Sequence, residues 1–156
     1  MNQPPNQSRT RRYIRVVPEV RRLRLFLPNS RYCVDRIRSI PGHKWESSSQ
    51  SWLIPLHGGS LQQLESFFGD RLYYDAPRAR MALRQALVAR KYSRQTQRAY
   101  QFWLRELVEY TKKPPEYLQS HEIEAFLAYL SDRDLAAATV TLASNALRFF
   151  YRRVLK

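Results

Sequence analysis

Residues 13–75 switch between strand-like and helical patterns of apolar positions. β-prone residues, partly alternating with polar ones, mark the strands, and two pairs of strands are close enough to form hairpins, the first across Pro18-Glu19. Apolar residues at helical spacing mark the helices, and Pro41-Gly42 ends the first of them. The predicted elements are strands at 14–17, 23–27, 44–46, 51–54 and 72–74 and helices at 31–40 and 61–68. This order predicts a small α+β domain.

Residues 76–156 carry apolar residues at helical spacing almost throughout. The segment Asp75-Ala76-Pro77 marks its start, because proline is well tolerated at the first position of a helix. Pro114-Pro115 ends the second helix. The predicted helices span 77–90, 93–112, 121–131 and 138–155. The sequence therefore predicts an α+β N-terminal domain at 13–75 followed by an all-α four-helix domain at 76–156.

The chain is strongly basic, with 27 Lys and Arg against 13 Asp and Glu and a formal net charge of +14. Residues 1–75 carry 12 basic against 6 acidic residues, and residues 76–156 carry 15 against 7, so both parts are basic. Most of the basic residues are arginines, which favour bidentate contacts with phosphates and bases. We therefore expect a nucleic-acid partner, with an acidic protein or an anionic membrane as the alternative. The polar residues 1–12 are expected to form a disordered basic arm.

Several other functions lack support in the sequence. Cys33 is the only cysteine, so the chain has neither an internal disulfide framework nor the cysteines of a zinc cluster. No apolar run approaches the roughly 20 residues of a membrane span. With four glycines in the chain, no glycine-rich phosphate loop is present. We expect no cofactor, no metal and no membrane association, and a reducing, intracellular compartment.

A polar stripe runs along the predicted helix at 93–112. Its members recur at steps of four, three and four and therefore share one face: Arg94, Arg98, Gln101 and Arg105. The opposite face is expected to be buried through Tyr100, Trp103, Leu107 and Tyr110. An ordinary solvated face would mix charges of both signs, whereas this stripe has no acidic residue. We therefore favour DNA contact over a solvated face.

The predicted helix at 138–155 repeats this arrangement. Its polar members also recur at steps of four, three and four, opposite the apolar face: Thr141, Asn145, Arg148 and Arg152. Arginine reads guanine, asparagine and glutamine read adenine, and threonine contacts phosphate. The two stripes therefore have the chemistry for the major groove of duplex DNA, and a solvated face remains the alternative.

The turn between the first two helices of the second domain is the third candidate contact. Ser93 is predicted to cap the following helix, which leaves N–H groups and the positive end of the helix dipole available. Arg90, Lys91 and Arg94 add charge beside it, and Thr96 lies in the first helical turn. We predict a phosphate contact here, with an ordinary capped turn as the alternative.

This segment resembles the core-binding domain, the SAM-like N-terminal domain, of tyrosine recombinases, and integron integrases most of all. Those domains show Tyr-Ser at the turn, Thr three residues after the Ser and Tyr four residues later, and this chain has Tyr92, Ser93, Thr96 and Tyr100. Aromatic residues in the second helix, Phe126-Leu127 in the third, and aromatic residues with arginine in the fourth extend the resemblance. It implies half of a clamp around a recombination site, with the second and fourth helices facing duplex DNA and contacts to other recombinase protomers.

The catalytic domain of that family supplies a Tyr nucleophile, two Arg, a Lys and a pair of His. No His in this chain is followed three residues later by Arg. We therefore expect no strand cleavage and no enzyme activity: the chain is either a fragment of a longer recombinase or a protein that binds sites without cutting them. The resemblance also implies a cytoplasmic, nucleoid-associated bacterial protein that acts in DNA integration and recombination of mobile elements.

Residues 40–45 and 52–55, with a tryptophan in each segment, resemble the small domain of HARP-type annealing helicases. The resemblance implies an accessory DNA-binding role. Two tryptophans on neighbouring strands of a small domain more often form its core, and we favour core packing over base stacking.

Two other functions compete with duplex DNA binding. The third and fourth helices of the second domain could serve as a helical protein-interaction module. The arginine content and the paired tryptophans would also suit an RNA-binding protein.

Overall fold

A computed structural model of the chain describes residues 13–155. The chain divides between Asp75 and Ala76 into two compact units. The basic arm predicted at residues 1–12 lies outside the described residues.

The first unit is built on a five-stranded sheet with the order β3-β4-β2-β1-β5. The strands are β1 (Ile14–Pro18), β2 (Arg22–Phe26), β3 (Lys44–Glu46), β4 (Ser51–Pro55) and β5 (Leu72–Tyr74). The pairs β1–β2, β2–β4 and β3–β4 are antiparallel, and β5 runs parallel to β1. Two helices, α1 (Arg31–Arg38) and α2 (Ser60–Phe68), complete the unit. The predicted α+β class and both predicted hairpins are confirmed.

The core of the first unit lies on one face of this sheet. Strand pairing places Val16, Leu25 and Trp52 side by side in one row across β1, β2 and β4. These residues are buried, and the helices contribute buried residues such as Ile37 and Leu64. The predicted alternation of apolar and polar residues therefore matches the burial of β1 and β2.

On the other face, Arg24 joins the two hairpins. Its guanidinium donates to Glu19 at 2.7 Å and to Ser51 at 2.9 Å, and it also bonds Glu46. Hydrogen bonds from Ser49 and Arg24 lower the pKa of Glu46. Strands β1 to β4 are thus linked by polar contacts as well as by the apolar core.

The second unit consists of four helices, as predicted. They are α3 (Pro77–Ala89), α4 (Arg94–Thr111), α5 (Ser120–Asp132) and α6 (Ala137–Phe149). The predicted fourth helix at 138–155 is not uniform, because a π-helical turn at Phe150–Val154 follows α6. Within this turn the Tyr151 hydroxyl donates to the Pro115 carbonyl at 2.8 Å, and burial raises the pKa of that hydroxyl. The contact ties the end of the last helix to the segment between α4 and α5.

Helix α4 contributes to both apolar clusters of this unit. Trp103 and Leu107 pack with residues of α5 and α6, while Leu104 packs with residues of α3 and with Phe150. The prediction that Tyr110 is buried is wrong, because its side chain is 42% exposed. Because Leu104 is buried against α3, the buried face of α4 is centred closer to α3 than predicted. Tyr110 therefore lies at the edge of that face.

Candidate nucleic-acid interface

The turn between α3 and α4 is held by two backbone hydrogen bonds. The Lys91 N–H donates to the Val88 carbonyl at 2.9 Å, and the Tyr92 N–H donates to the Leu87 carbonyl at 3.1 Å. This pair of bonds is the Schellman motif that commonly ends a helix. Its central residue adopts a left-handed backbone, and here that residue is Lys91 with φ 57°. The motif fixes the direction in which the chain enters α4.

Ser93 caps the N-terminus of α4, as predicted. Its hydroxyl oxygen accepts from the Thr96 N–H at 3.1 Å and lies 2.9 Å from the Thr96 hydroxyl. The side chain of Gln97 donates to the Tyr92 carbonyl at 2.8 Å and closes the turn from the other side. The cap uses one N–H group of the first helical turn and leaves the groups that precede it without an intrahelical acceptor.

Cationic side chains surround this helix N-terminus. Arg90, Lys91 and Arg94 are exposed, as is Ser93. The Arg90 guanidinium lies 5.6 Å from the centre of the Phe149 ring and donates to the Ala86 carbonyl at 3.2 Å. No acidic residue lies in the first turn of α4. The positive end of the helix dipole and the three cations therefore all favour a bound anion at this turn.

The predicted stripe on α4 is exposed at its N-terminal end and covered at its C-terminal end. Arg94 and Arg98 are exposed, and Gln101 is half-buried. The Arg105 side chain is 16% exposed, lies 5.2 Å from the Phe102 ring centre and pairs with Glu106 at 3.5 Å. The accessible part of the stripe is therefore continuous with the turn, whereas Arg105 is largely occupied by its neighbours.

The predicted stripe on α6 and the π-helical turn after it is fully exposed, at Thr141, Asn145, Arg148 and Arg152. The Thr141 hydroxyl donates its hydrogen to the Ala137 carbonyl at 2.9 Å, so within the helix only its acceptor side stays available. Arg152 lies in the π-helical turn, which is wider than an α-helical turn. Regular α-helical spacing would place Arg152 in line with Asn145 and Arg148. The π-helical turn instead moves Arg152 around the helix axis, away from that line.

Three further arginines, which the sequence pattern did not single out, lie on α3. Arg78, Arg80 and Arg84 are all exposed, and α3 contains no acidic residue. The sequence shows this excess of positive charge. The three residues were not singled out because their spacing does not place them on one helical stripe. Together with Arg90 and Lys91 they make the chain basic from the start of α3 to the turn.

Other kinds of site find no support in the part of the chain that the structure describes. Among residues 13–155, no group of three or more His, Cys, Asp or Glu side chains could hold a metal ion. No described helix is long and apolar enough to cross a membrane.

A family model described as the phage integrase N-terminal SAM-like domain matches residues 80–156. No curated protein matches the chain. The match covers α4 with its cap, α5, α6 and most of α3. The likeness of the first unit to HARP-type domains is outside the match and stays a prediction. Residues 80–156 belong to the phage integrase N-terminal SAM-like family, the core-binding domain of tyrosine recombinases.

Proposed function

We propose that the second unit binds duplex DNA and is the site-binding portion of a tyrosine recombinase that acts in DNA integration and recombination. The proposed contacts are Arg90, Lys91, Ser93, Arg94, Thr96, Arg98, Gln101, Thr141, Asn145, Arg148 and Arg152, with Arg105 in a supporting position. The observation that carries this proposal is the exposed group of cations around a capped helix N-terminus, within a domain of the integrase family.

The turn before α4 supplies the proposed phosphate contact. The N–H groups of Arg94 and Gln95 come before the one that Ser93 accepts, so they lack intrahelical acceptors. A phosphate oxygen in front of them would also meet the side chains of Lys91 and Arg94. This combination of backbone donors and cations is the usual chemistry of phosphate binding at a helix N-terminus.

Arg98 lies one helical turn further along the same exposed face and would reach the DNA beyond that phosphate. Asn145 and Arg148 on α6 offer the side chains that pair with adenine and guanine. Arg105 has a different place in the proposal, because its packing on Phe102 and its pairing with Glu106 limit its reach. We expect it to support the stripe more than to contact DNA.

The proposed role is binding without strand cleavage by residues 1–156. Cleavage by this family needs arginine and histidine groups around the phosphate, which stabilise its charge and protonate the leaving oxygen. The sequence has no His followed three residues later by Arg. Incubation with recombination-site DNA should therefore leave no covalent protein–DNA adduct on a denaturing gel.

Fluorescence anisotropy with a labelled DNA duplex tests the proposal. Affinity should fall by orders of magnitude between about 50 and 200 mM salt, because phosphate contacts release counterions. Arg94→Ala and Arg98→Ala should each weaken binding, by about 1–3 kcal/mol where the arginine reads a base. An arginine that contacts only phosphate should instead lower the salt slope by about one for every sequence.

Arg133→Ala is the matched control, since it removes the same charge from an exposed position at the end of α5. It should change duplex affinity much less than the α4 variants do. If all three variants lose affinity equally, the interaction depends on net charge alone and the proposed interface is wrong. Competition with single-stranded DNA and structured RNA would show whether the duplex is the preferred partner.

A helical protein interaction is the second candidate function. Tyr110 and Tyr129 are both exposed, and their ring centres lie 4.8 Å apart on the side formed by α4 and α5. Exposed tyrosines are common at protein–protein contacts. Sedimentation of the wild type and of a Tyr129→Ala variant would test contact between protomers. A monomer at all concentrations, with and without DNA, would exclude it.

A further inference from the structure

The two tryptophans of the second hairpin occupy different environments. Trp45 on β3 and Trp52 on β4 are opposite each other in the antiparallel register. Opposed residues lie on the same face of a sheet, so both belong to the row that also contains Leu25 and Val16. Trp52 is 8% exposed, whereas Trp45 is 47% exposed. Core packing therefore accounts for Trp52 but leaves half of Trp45 in solvent.

The position of β3 explains this difference. β3 is at one end of the strand order, so Trp45 is the last member of its row. The Trp45 and Trp52 rings lie 5.3 Å apart at an interplanar angle of 58°. The inner tryptophan thus supports the outer one. The exposed part of a supported indole is a rigid apolar surface with little conformational entropy to lose on binding.

An exposed cation lies beside this pair of tryptophans. Arg38 is exposed at the end of α1, and its guanidinium lies 5.8 Å from the centre of the Trp52 ring. Lys44 directly precedes Trp45 and is exposed, but it lies on the opposite face of the edge strand. Within the described residues, neither cation pairs with a carboxylate. Glu46, the acidic residue of β3, is already bound to Arg24 and Ser49. The local charge therefore favours an anion.

We propose that Trp45 and Arg38 form a binding site for single-stranded nucleic acid, in which the indole stacks on one unpaired base and the guanidinium contacts a flanking phosphate. An exposed aromatic ring beside cations is the usual arrangement for binding single strands without sequence preference, because every base has a face that can stack. A duplex would not fill this site, since its bases are already stacked on one another. The proposal does not rest on duplex binding by the second unit, because both residues lie in the first.

The tryptophan fluorescence of the full-length protein tests the proposal directly. The chain has three tryptophans, and Trp52 and Trp103 are 8% and 7% exposed, so quenching by an added solute reports mainly on Trp45. A single-stranded oligothymidylate of about 12 nucleotides should quench this emission and protect it from iodide. The same result with oligouridylate would show that the site reads base and phosphate, whatever the sugar. No quenching by either strand would overturn the proposal.

Trp45→Ala should lower the affinity for oligothymidylate by about 5-fold to 150-fold, the range found when one base–aromatic stack is removed. Duplex affinity should stay within about twofold. Tyr32→Ala is the matched control, because Tyr32 is an exposed aromatic residue of the same unit, and its 51% exposure is close to that of Trp45. Equal losses from both variants would contradict a specific site.

Two further outcomes would also decide against the proposal. If iodide quenching decreased with protein concentration in the absence of nucleic acid, a second copy of the chain would be covering Trp45. If Trp45→Phe, which keeps an aromatic ring on Trp52, bound oligothymidylate as weakly as Trp45→Ala, stacking would not be the source of the affinity.

Discussion

Lys91 offers a way to separate backbone conformation from charge at the proposed interface. Its left-handed backbone, with φ 57°, is the one that glycine adopts most readily at this position of a Schellman motif. A residue with a Cβ atom pays about 1–2 kcal/mol for this conformation. Glycine would remove that cost but lose about 0.4–1 kcal/mol through the greater freedom of the unfolded chain. Lys91→Gly should therefore stabilise the second unit by about 0.5–1 kcal/mol.

Lys91→Ala is the matched control, because alanine removes the same charge but retains the Cβ atom. We expect Lys91→Ala to melt within about 2 °C of the wild type, and Lys91→Gly to melt about 2–8 °C higher. Both should weaken duplex binding equally and lower the salt slope by about 0.9, the contribution of one phosphate contact.

Chemical and thermal unfolding of the fragment 76–156 give the stability, since Trp103 is its only tryptophan. If Lys91→Gly were no more stable than Lys91→Ala, the left-handed backbone of Lys91 would not cost the fold any stability. If both variants bound duplex DNA like the wild type, Lys91 would lie outside the interface.

Three other predictions concern the integrity of the second unit. The fragment Ala76–Lys156 should fold on its own and retain most of the duplex affinity; a fragment without cooperative unfolding would contradict this. Trp103→Ala should destabilise the fragment by about 3–5 kcal/mol in urea titrations, because it removes a large buried side chain; a loss below about 1 kcal/mol would mean that the cluster repacks. Glu122 bonds Lys113 and accepts from the Gln119 N–H at 3.0 Å, and these contacts lower its pKa below its ordinary value. Its stabilisation should be complete above the ordinary glutamate pKa of about 4.3 and should be lost as the pH falls through the lowered pKa. Glu122→Gln should remove this part of the pH dependence in unfolding measurements, and an unchanged profile would refute the assignment.

Within residues 13–155, the sequence predicted the order and type of the five strands and the six α-helices. It could do so because the signals are local. Pro77 and Ser93 mark helix starts, Pro114-Pro115 ends a helix, and the apolar residues of α5 recur at helical spacing. The cap at Ser93 needs only residues three apart in the chain, so the sequence also located the turn on which the proposed interface centres.

Predictions about individual faces were less complete. Helical spacing places Arg105 on one line with Arg94 and Arg98, but spacing does not show that Phe102 and Glu106 cover its guanidinium. Tyr110 follows the apolar period of α4 and is nevertheless exposed, because Leu104 turns the helix toward α3. The predicted position of Arg152 assumes a regular α-helix, and the π-helical turn displaces it.

Sequence alone determined the charge, the elements and the helix cap, because composition, periodicity and capping depend on residues near one another in the chain. Only the tertiary structure decided which of two chemically identical side chains is exposed to solvent. Trp45 and Trp52 have the same side chain and neighbouring strands, but β3 has a partner on one side and β4 on both. One tryptophan is therefore part of the core, and the other presents an exposed ring at the sheet edge. The left-handed backbone of Lys91 has the same kind of origin, since the contacts that set the path from α3 into α4 impose it on a residue that would not otherwise adopt it.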